Sequence, residues 1–417
     1  MKKEKLIINA SQLVVVKSDY GKPLRGKKQN NLEIIKDGAL LICEGKIKDF
    51  GKSKILEKKY KTIEIIDADN RVVMPGFIDS HTHLIFAGKR EDEFIMRLNG
   101  ESYLDILNKG YGILSTVDQV RKSSKEELFN LAINRLFKLI QYGTTSVEIK
   151  SGYGLNFTDE IKILEVVSEL KKKTKINIKA TLMAAHAIPK EYVNIKKEYI
   201  NLICEEIIPY VSKNNLADFV DVFCEEGVYD INETRKVLEA GIFWGLKPKL
   251  HADEFKAIGG VSLASELNAI SVDHLIVSDP NELIKLNNNE TIAVILPGTS
   301  FILNNDNKKY GRNIIDNNIP LAIATDFNPG TCMCYSMQMM IELSVIRLGI
   351  TIEEAINGAT INASFASGLQ DYTGSIEIGK SADIIILDLE NYKEIPYNWG
   401  INKILSIIIN GEVVFKK

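Results

Sequence analysis

Hydrophobic residues recur along the chain with two different spacings, and the change of spacing divides it into three stretches. Residues 1–75 carry short aliphatic runs broken by turn-forming residues: Leu6–Asn9, Leu13–Lys17, Ala39–Cys43, Lys46–Phe50, Thr62–Ile66 and Val72–Met74. Residues 374–417 read alike, with Asp383–Leu389, Ile407–Asn410 and Gly411–Phe415 after the turn-rich Gly374–Gly379. Runs of this length between turns predict strands. Neither end holds enough of them for a core of its own. The pattern therefore predicts that residues 1–75 and 374–417 pair into one discontinuous β-sandwich.

The middle, residues 76–373, alternates buried-type strands with amphipathic helices. The predicted strands are Phe77–His83, Thr144–Lys150, Ile178–Ala185, Phe219–Cys224, Pro248–His251, Ser271–His274, Ile292–Leu296 and Leu321–Thr325. Helical periodicity falls between them at Ser124–Tyr142, Thr158–Thr174, Asn194–Asn214 and Ile231–Gly245. Eight strands separated by helices predict an α/β fold of the (β/α)8, TIM-barrel type. An open doubly wound sheet is the rival, but no Gly-rich phosphate fingerprint follows the first strand. In a barrel, the residues that do chemistry belong at the C-terminal ends of the strands or just beyond them.

Composition narrows the partners. The 417 residues contain 52 Lys+Arg and 55 Asp+Glu, a formal charge of −3, with no basic surface to draw nucleic acid or anionic lipid. No apolar run reaches the roughly 18–20 residues of a membrane helix. Five scattered cysteines (43, 204, 224, 332, 334) make no disulfide framework and point to a reduced, cytoplasmic compartment. The five histidines are few enough to be accounted for singly.

The first barrel strand leads into Pro75-Gly-Phe-Ile-Asp-Ser-His81-Thr-His83. Residues two apart on a strand point the same way, so two imidazoles there can grip one ion. His251 closes strand five in Lys249-Leu-His251-Ala-Asp-Glu254, and His274 closes strand six. Asp326 closes strand eight in Ala322-Ile-Ala-Thr-Asp326-Phe-Asn-Pro-Gly330. Core histidines have no reason to favour strand ends. Three histidines and a carboxylate around a metal leave a position open for water, as catalytic sites require.

These motifs, with the tail Gly374-Ser-Ile-Glu-Ile-Gly-Lys-Ser-Ala-Asp383, resemble the amidohydrolase superfamily over nearly the whole chain. More narrowly, His81-Thr-His-Leu-Ile-Phe-Ala-Gly-Lys-Arg90, Val147-Glu-Ile-Lys-Ser-Gly-Tyr153-Gly, His251-Ala-Asp-Glu254 and Thr325-Asp-Phe-Asn-Pro-Gly330 resemble the imidazolonepropionase family of histidine degradation. The resemblance implies hydrolysis of the cyclic amide bond of 4-imidazolone-5-propanoate to N-formimidoyl-L-glutamate. It implies that His81, His83, His251 and Asp326 hold one metal ion per chain, Zn2+ or Fe3+, and its water. Glu254 then carries the water's proton to the leaving nitrogen, His274 donates to the reacting carbonyl, and Asp326 also orients the water. Arg90 is the implied partner of the propionate carboxylate, although the charge run Lys89–Glu93 reads equally as a solvated face. Tyr153 and His186 are the implied further substrate contacts, joined by Tyr103. Asn328, Gly330 and Thr331 follow the metal aspartate in a loop whose backbone donors suit the ring or the product carboxylate. Barrel hydrolases of this size commonly pair, so a homodimer is expected.

Three rivals remain open at this point. A two-metal hydrolase needs a carboxylated lysine on strand four; Lys150 is on strand two, and strand four ends in Phe223-Cys-Glu225, where a glutamate bridge is conceivable. A purine or pyrimidine aminohydrolase shares the ligands and the glutamate but needs no anion pocket. A non-catalytic scaffold on a barrel fold is signalled by a lost ligand, and none is missing. Cys332-Met-Cys334 lacks the partner pair of a second metal site and reads as packing.

Overall fold

The computed structural model describes residues 4–61, 64–101, 109, 111–305 and 307–417. Eight parallel strands form the central sheet in chain order: Phe77–Asp79, Thr144–Lys150, Asn177–Ala185, Phe219–Cys224, Lys247–Ala252, Ser271–His274, Ile292–Ile295 and Leu321–Ile323. Each pairs with its sequence neighbours, and the first and eighth face each other across the remaining seam. That seam is closed by other means. The buried Asp79 carboxylate accepts from the Thr325 N–H at 2.9 Å and from its hydroxyl at 2.6 Å. Beyond the strand ends, Asp326 N–H donates to the His81 carbonyl at 3.0 Å, and His83 N–H to Phe327 at 2.9 Å.

Two strands stop two or more residues short of their predicted ends. The first stops at Asp79 instead of His83, and the eighth at Ile323 instead of Thr325. Asp326 takes a left-handed backbone (φ 52°), which turns the chain out of the ladder and its carboxylate into the barrel. His274 does the same at the end of the sixth strand (φ 79°). Such conformations in residues other than glycine cost of order 1–3 kcal/mol and gather where function demands them.

The helices follow from local chemistry. Ser124 caps Lys125–Gln141 in a reciprocal box with Glu127, and Leu128, Ala132, Leu136 and Leu139 bury one face of it. Asn156 caps Phe157–Lys173. The predicted Asn194–Asn214 helix is three pieces: Lys196–Leu202, a wide π-type turn over Ile203–Ile207, and Ile208–Lys213. Pro209 is the cause. It lacks the N–H that would reach the Glu205 carbonyl, so the preceding turn widens.

Both chain ends join one eight-stranded sheet. Its order runs Glu412–Lys416, Ile404–Ile409, Ile384–Leu387, Val72–Pro75, Glu4–Val15, Glu33–Cys43 and Lys46–Lys52, with Glu64–Asp67 also on the first strand of the chain. Thr62 and Ile63 of the predicted Thr62–Ile66 run lie outside the described residues. Period-two alternation sends Ile7, Leu13, Leu40, Val73, Ile384 and Ile408 into one core, so the sheet folds on itself around them. Leu6, Ile8 and Leu41 face the other way, against Leu56 of the helix Ser53–Lys59. Asp383 ties this sheet to the N-terminal ends of the barrel strands: its carbonyl accepts from Gly76 at 2.9 Å and its carboxylate from Asn177 at 2.9 Å. The opposite end of the barrel is left free for the site.

Candidate active site

All five histidines gather at the C-terminal end of the barrel, and all are buried. His81 and His251 lie 4.5 Å apart by ring centroids, His251 and His274 5.1 Å, and His83 stacks on His186 at 4.9 Å. Two compact groups share His81: one with His83 and Asp326, the other with His251 and His274. Within each, the ligand atoms all lie within 4.8 Å of one another.

Each of the two central imidazoles is fixed by a carboxylate on its outer nitrogen. Asp273 lies 2.6 Å from His81 Nδ1, and Asp221 lies 3.0 Å from His251 Nδ1. A carboxylate only accepts, so each Nδ1 carries the proton and each Nε2 turns a lone pair inward. Both Nε2 atoms are buried with no hydrogen-bond partner among the described residues. A buried polar atom left so is costly unless something fills the place. This carboxylate–histidine pattern is the one that orients metal ligands. Burial pushes His81, His83 and His274 well below the usual histidine range, so they stay neutral and able to ligate. Burial raises Asp326 to about 6; its Oδ2 accepts from Thr299 at 2.6 Å, while Oδ1 lies 3.5 Å from His81 Nε2. The residues present therefore fit a metal ion.

Beneath the histidines lies a layer of fully buried charge. Lys150 donates to Glu148 at 2.8 Å and to Asp221 at 2.8 Å, and Lys249 pairs with Glu148. With Asp273, two lysines thus face three carboxylates. Burial raises the Asp273 carboxyl, while the two lysines hold Glu148 and Asp221 ionised. Sequence reasoning missed Glu148, Asp221, Lys249 and Asp273. Their signal was present: each is a charged residue inside an apolar strand run.

A cavity of about 650 Å³ opens over the histidines. Arg90 and Tyr153 line it together with His251 of the fifth strand and Glu254 just beyond that strand's end. Within an otherwise largely exposed run, the Arg90 side chain is only 7% exposed: Glu93 accepts from its Nε and Nη2, each at 2.7 Å, and also from Arg97 at 2.9 Å. Tyr153 sits in a loop held by the buried Glu160, which accepts from Gly154 N–H at 2.8 Å and Leu155 N–H at 2.9 Å. Gly152, with φ 106°, lets its carbonyl reach His186 Nδ1 at 3.0 Å. Burial lowers His186 to about 3. Glu254 is buried as well, 3.7 Å from His274 Nδ1, and burial, with Asp326 and Glu225 nearby, raises it well above the glutamate range. Asn328 uses its own side chain on the loop: Oδ1 accepts from Gly330 N–H at 2.7 Å and Thr331 N–H at 2.8 Å. Those two backbone donors are consequently engaged within the turn, a departure from the open donors expected of this loop. Tyr103 lies outside the described residues. Glu225 belongs to neither histidine group, and its oxygens accept N–H groups of Phe255 at 3.0 Å and Lys256 at 2.9 Å.

A parallel barrel carrying paired histidines after its first strand and single ones at the ends of its fifth and sixth, with an aspartate after its eighth, defines a metal-dependent hydrolase of the amidohydrolase type. Residues 231–414 match the profile described as Amidohydrolase family, and residues 64–100 match a second profile of the same description. The imidazolonepropionase of Clostridium tetani is 44% identical over 420 residues, covering 100% of both chains. That of Flavobacterium johnsoniae is 41% identical over 410 residues, 98% of this chain and 99% of the other. The chain belongs to the imidazolonepropionase family. Among solved structures, Escherichia coli guanine deaminase superposes with a TM-score of 0.75 at 16% identity, covering 99% of this chain and 100% of that one. A mutant atrazine chlorohydrolase of Arthrobacter aurescens, complexed with zinc and atraton, gives 0.73 at 13% identity over 99% and 95%. Those two likenesses speak for the fold.

Proposed function

We propose that the protein hydrolyses the cyclic amide bond of 4-imidazolone-5-propanoate, yielding N-formimidoyl-L-glutamate, as an enzyme of histidine degradation. The observation that carries the reading is the bare Nε2 of His251, which lines a cavity walled by Arg90, beside the equally bare Nε2 of the fully buried His81. His81, His83, His251 and Asp326 would hold one ion per chain, zinc or iron. When bound, the ion acts as a Lewis acid that lowers the pKa of a water towards neutrality.

The chain's own residues supply the rest. Glu254, kept protonatable by its buried setting, takes the water's proton and delivers it to the ring nitrogen as the C–N bond breaks and the new C–O bond forms. His274 donates to the carbonyl oxygen as negative charge builds there. Asp326 orients the water from the opposite side. Arg90 pairs with the propionate carboxylate, a charge-assisted contact worth about 1.5–3 kcal/mol. Tyr153 closes on the same carboxylate. His186, with its Nδ1–H spent on Gly152, meets the substrate through Nε2. Asn328, Gly330 and Thr331 complete the wall. The anion pocket favours this reading over a purine or pyrimidine aminohydrolase, which has no use for it. We read the enzyme as a cytoplasmic homodimer whose barrel, residues 76–373, is flanked by a β-sandwich of residues 1–75 and 374–417.

The decisive experiment incubates metal-loaded protein with 4-imidazolone-5-propanoate and follows loss of its ultraviolet absorbance. Rapid loss is expected, with none for guanine or a dihydropyrimidine. Turnover of either alternative in place of the imidazolone overturns the assignment.

A further inference from the structure

We propose that Glu225, at the end of the fourth barrel strand, is a positioning residue that aims Glu254 at the reacting atoms; the inference rests on the reading of Glu254 as the proton carrier. Glu254 has to be free to take and release a proton. Its carboxylate lies 3.7 Å from His274 Nδ1, beyond hydrogen-bond reach, so its aim has to come from the backbone that carries it. That backbone is a strained turn: Asp253, one residue before, has φ 56°.

Two anchors hold the turn, one on each side of Glu254. On the near side, Asp253 is tied to the loop after the sixth strand. Its carboxylate accepts from Ser278 Oγ at 2.7 Å and its carbonyl from Val277 N–H at 3.0 Å. On the far side, Glu225 collects the next two amides: Oε2 accepts from Phe255 at 3.0 Å and Oε1 from Lys256 at 2.9 Å. Oε1 also accepts from its neighbour Glu226 at 3.1 Å. A buried carboxylate gathering three N–H groups from two loops is a strong, directional clamp. It also leaves neither oxygen turned to a metal, so the bridging role that strand four's glutamate suggested is not the one its contacts describe.

The test compares Glu254→Gln, Glu225→Ala and Glu225→Gln for metal content per chain, kcat and KM on 4-imidazolone-5-propanoate. Glu254→Gln should abolish turnover while retaining metal. Glu225→Ala should lower kcat about 10- to 100-fold with KM within about twofold and metal content unchanged, as misplacement of a reacting group does. Glu225→Gln keeps one carbonyl acceptor for the turn and should recover part of the lost kcat, which a merely structural defect gives no reason to expect. If Glu225→Ala does not fold, Glu225→Gln against wild type decides by the same split. Unchanged kcat in the Glu225 variants, beside a dead Glu254→Gln, overturns the positioning role alone. A fall from two ions per chain to one in those variants overturns it in favour of a bridge. Near-normal turnover in Glu254→Gln overturns the proton-carrier reading and this inference with it.

Discussion

Arg90 gathers into one side chain the question of how a buried cation is kept useful. Glu93 occupies its Nε and Nη2, which leaves the Nη1 edge for a ligand. A Cβ built on Gly330 would lie 2.4 Å from that same Nη1 and 2.7 Å from Cζ. The absence of a side chain at 330 is therefore what lets the guanidinium lie there. Arg90→Ala should raise KM for the imidazolone about 10- to 100-fold with kcat little changed, because it removes a contact made equally in ground and transition states. Gly330→Ala should raise KM about tenfold by the same route, since Glu93 holds the guanidinium and it cannot yield without breaking a bidentate pair. Steady-state kinetics on the two variants checks both. An unchanged KM in Arg90→Ala removes the carboxylate assignment, and an unchanged KM in Gly330→Ala shows that the arginine yields freely.

Strands explain which parts of the site were legible beforehand. The pairs His81 and His83, and His251 at the end of its strand, stand out because polar residues interrupt an apolar period at the end where a barrel puts its chemistry. Asp221 and Asp273 were present in the same runs but passed over, because their role depends on where the strands come to lie in the closed barrel. Asp221 reaches His251 from the neighbouring fourth strand, while Asp273 reaches His81 across the barrel from the sixth. No period within a single strand reveals that. The strand ends were overextended for a similar reason: the left-handed turn at Asp326, open to an aspartate but not demanded by it, is a tertiary decision. The broken Asn194–Asn214 helix, in contrast, was readable from Pro209. Asp273→Asn should test the cross-barrel pairing with His81. Its amide offers an N–H to His81 Nδ1 and so favours the wrong tautomer, and metal affinity should fall about 10- to 100-fold. Competition with a chelator measures it; affinity equal to wild type would mean that Asp273 does not set the His81 tautomer.

Across the whole molecule, the barrel interior is not the apolar plug that fills many such folds. The layer of Glu148, Lys150, Asp221, Lys249 and Asp273 spans strands two, four, five and six, so its charges hold four of the eight strands together while bracing the imidazoles above. Removing one member leaves its partners buried and uncompensated, a loss of about 3–5 kcal/mol. Glu148 is the member to change, since both lysines converge on it. Burial pushes its carboxyl up, but Lys150 and Lys249 outweigh burial and hold it below the ordinary value of 4.5. The unfolded chain therefore binds this proton more readily than the folded one. Glu148 contributes its full stability above the ordinary value, and the contribution drains away as pH falls through the lowered one. Glu148→Gln should accordingly unfold at lower urea than wild type at neutral pH. As the pH drops from about 5 to 3, the difference between the two proteins should shrink, because wild type loses an advantage the variant never had. Other buried acids, Asp79 at about 7 and Asp326 at about 6, are raised by burial and titrate alike in both proteins, so they cancel in the comparison. A gap that stays constant or widens towards acid would mean that the lysines do not hold Glu148 ionised in the folded barrel.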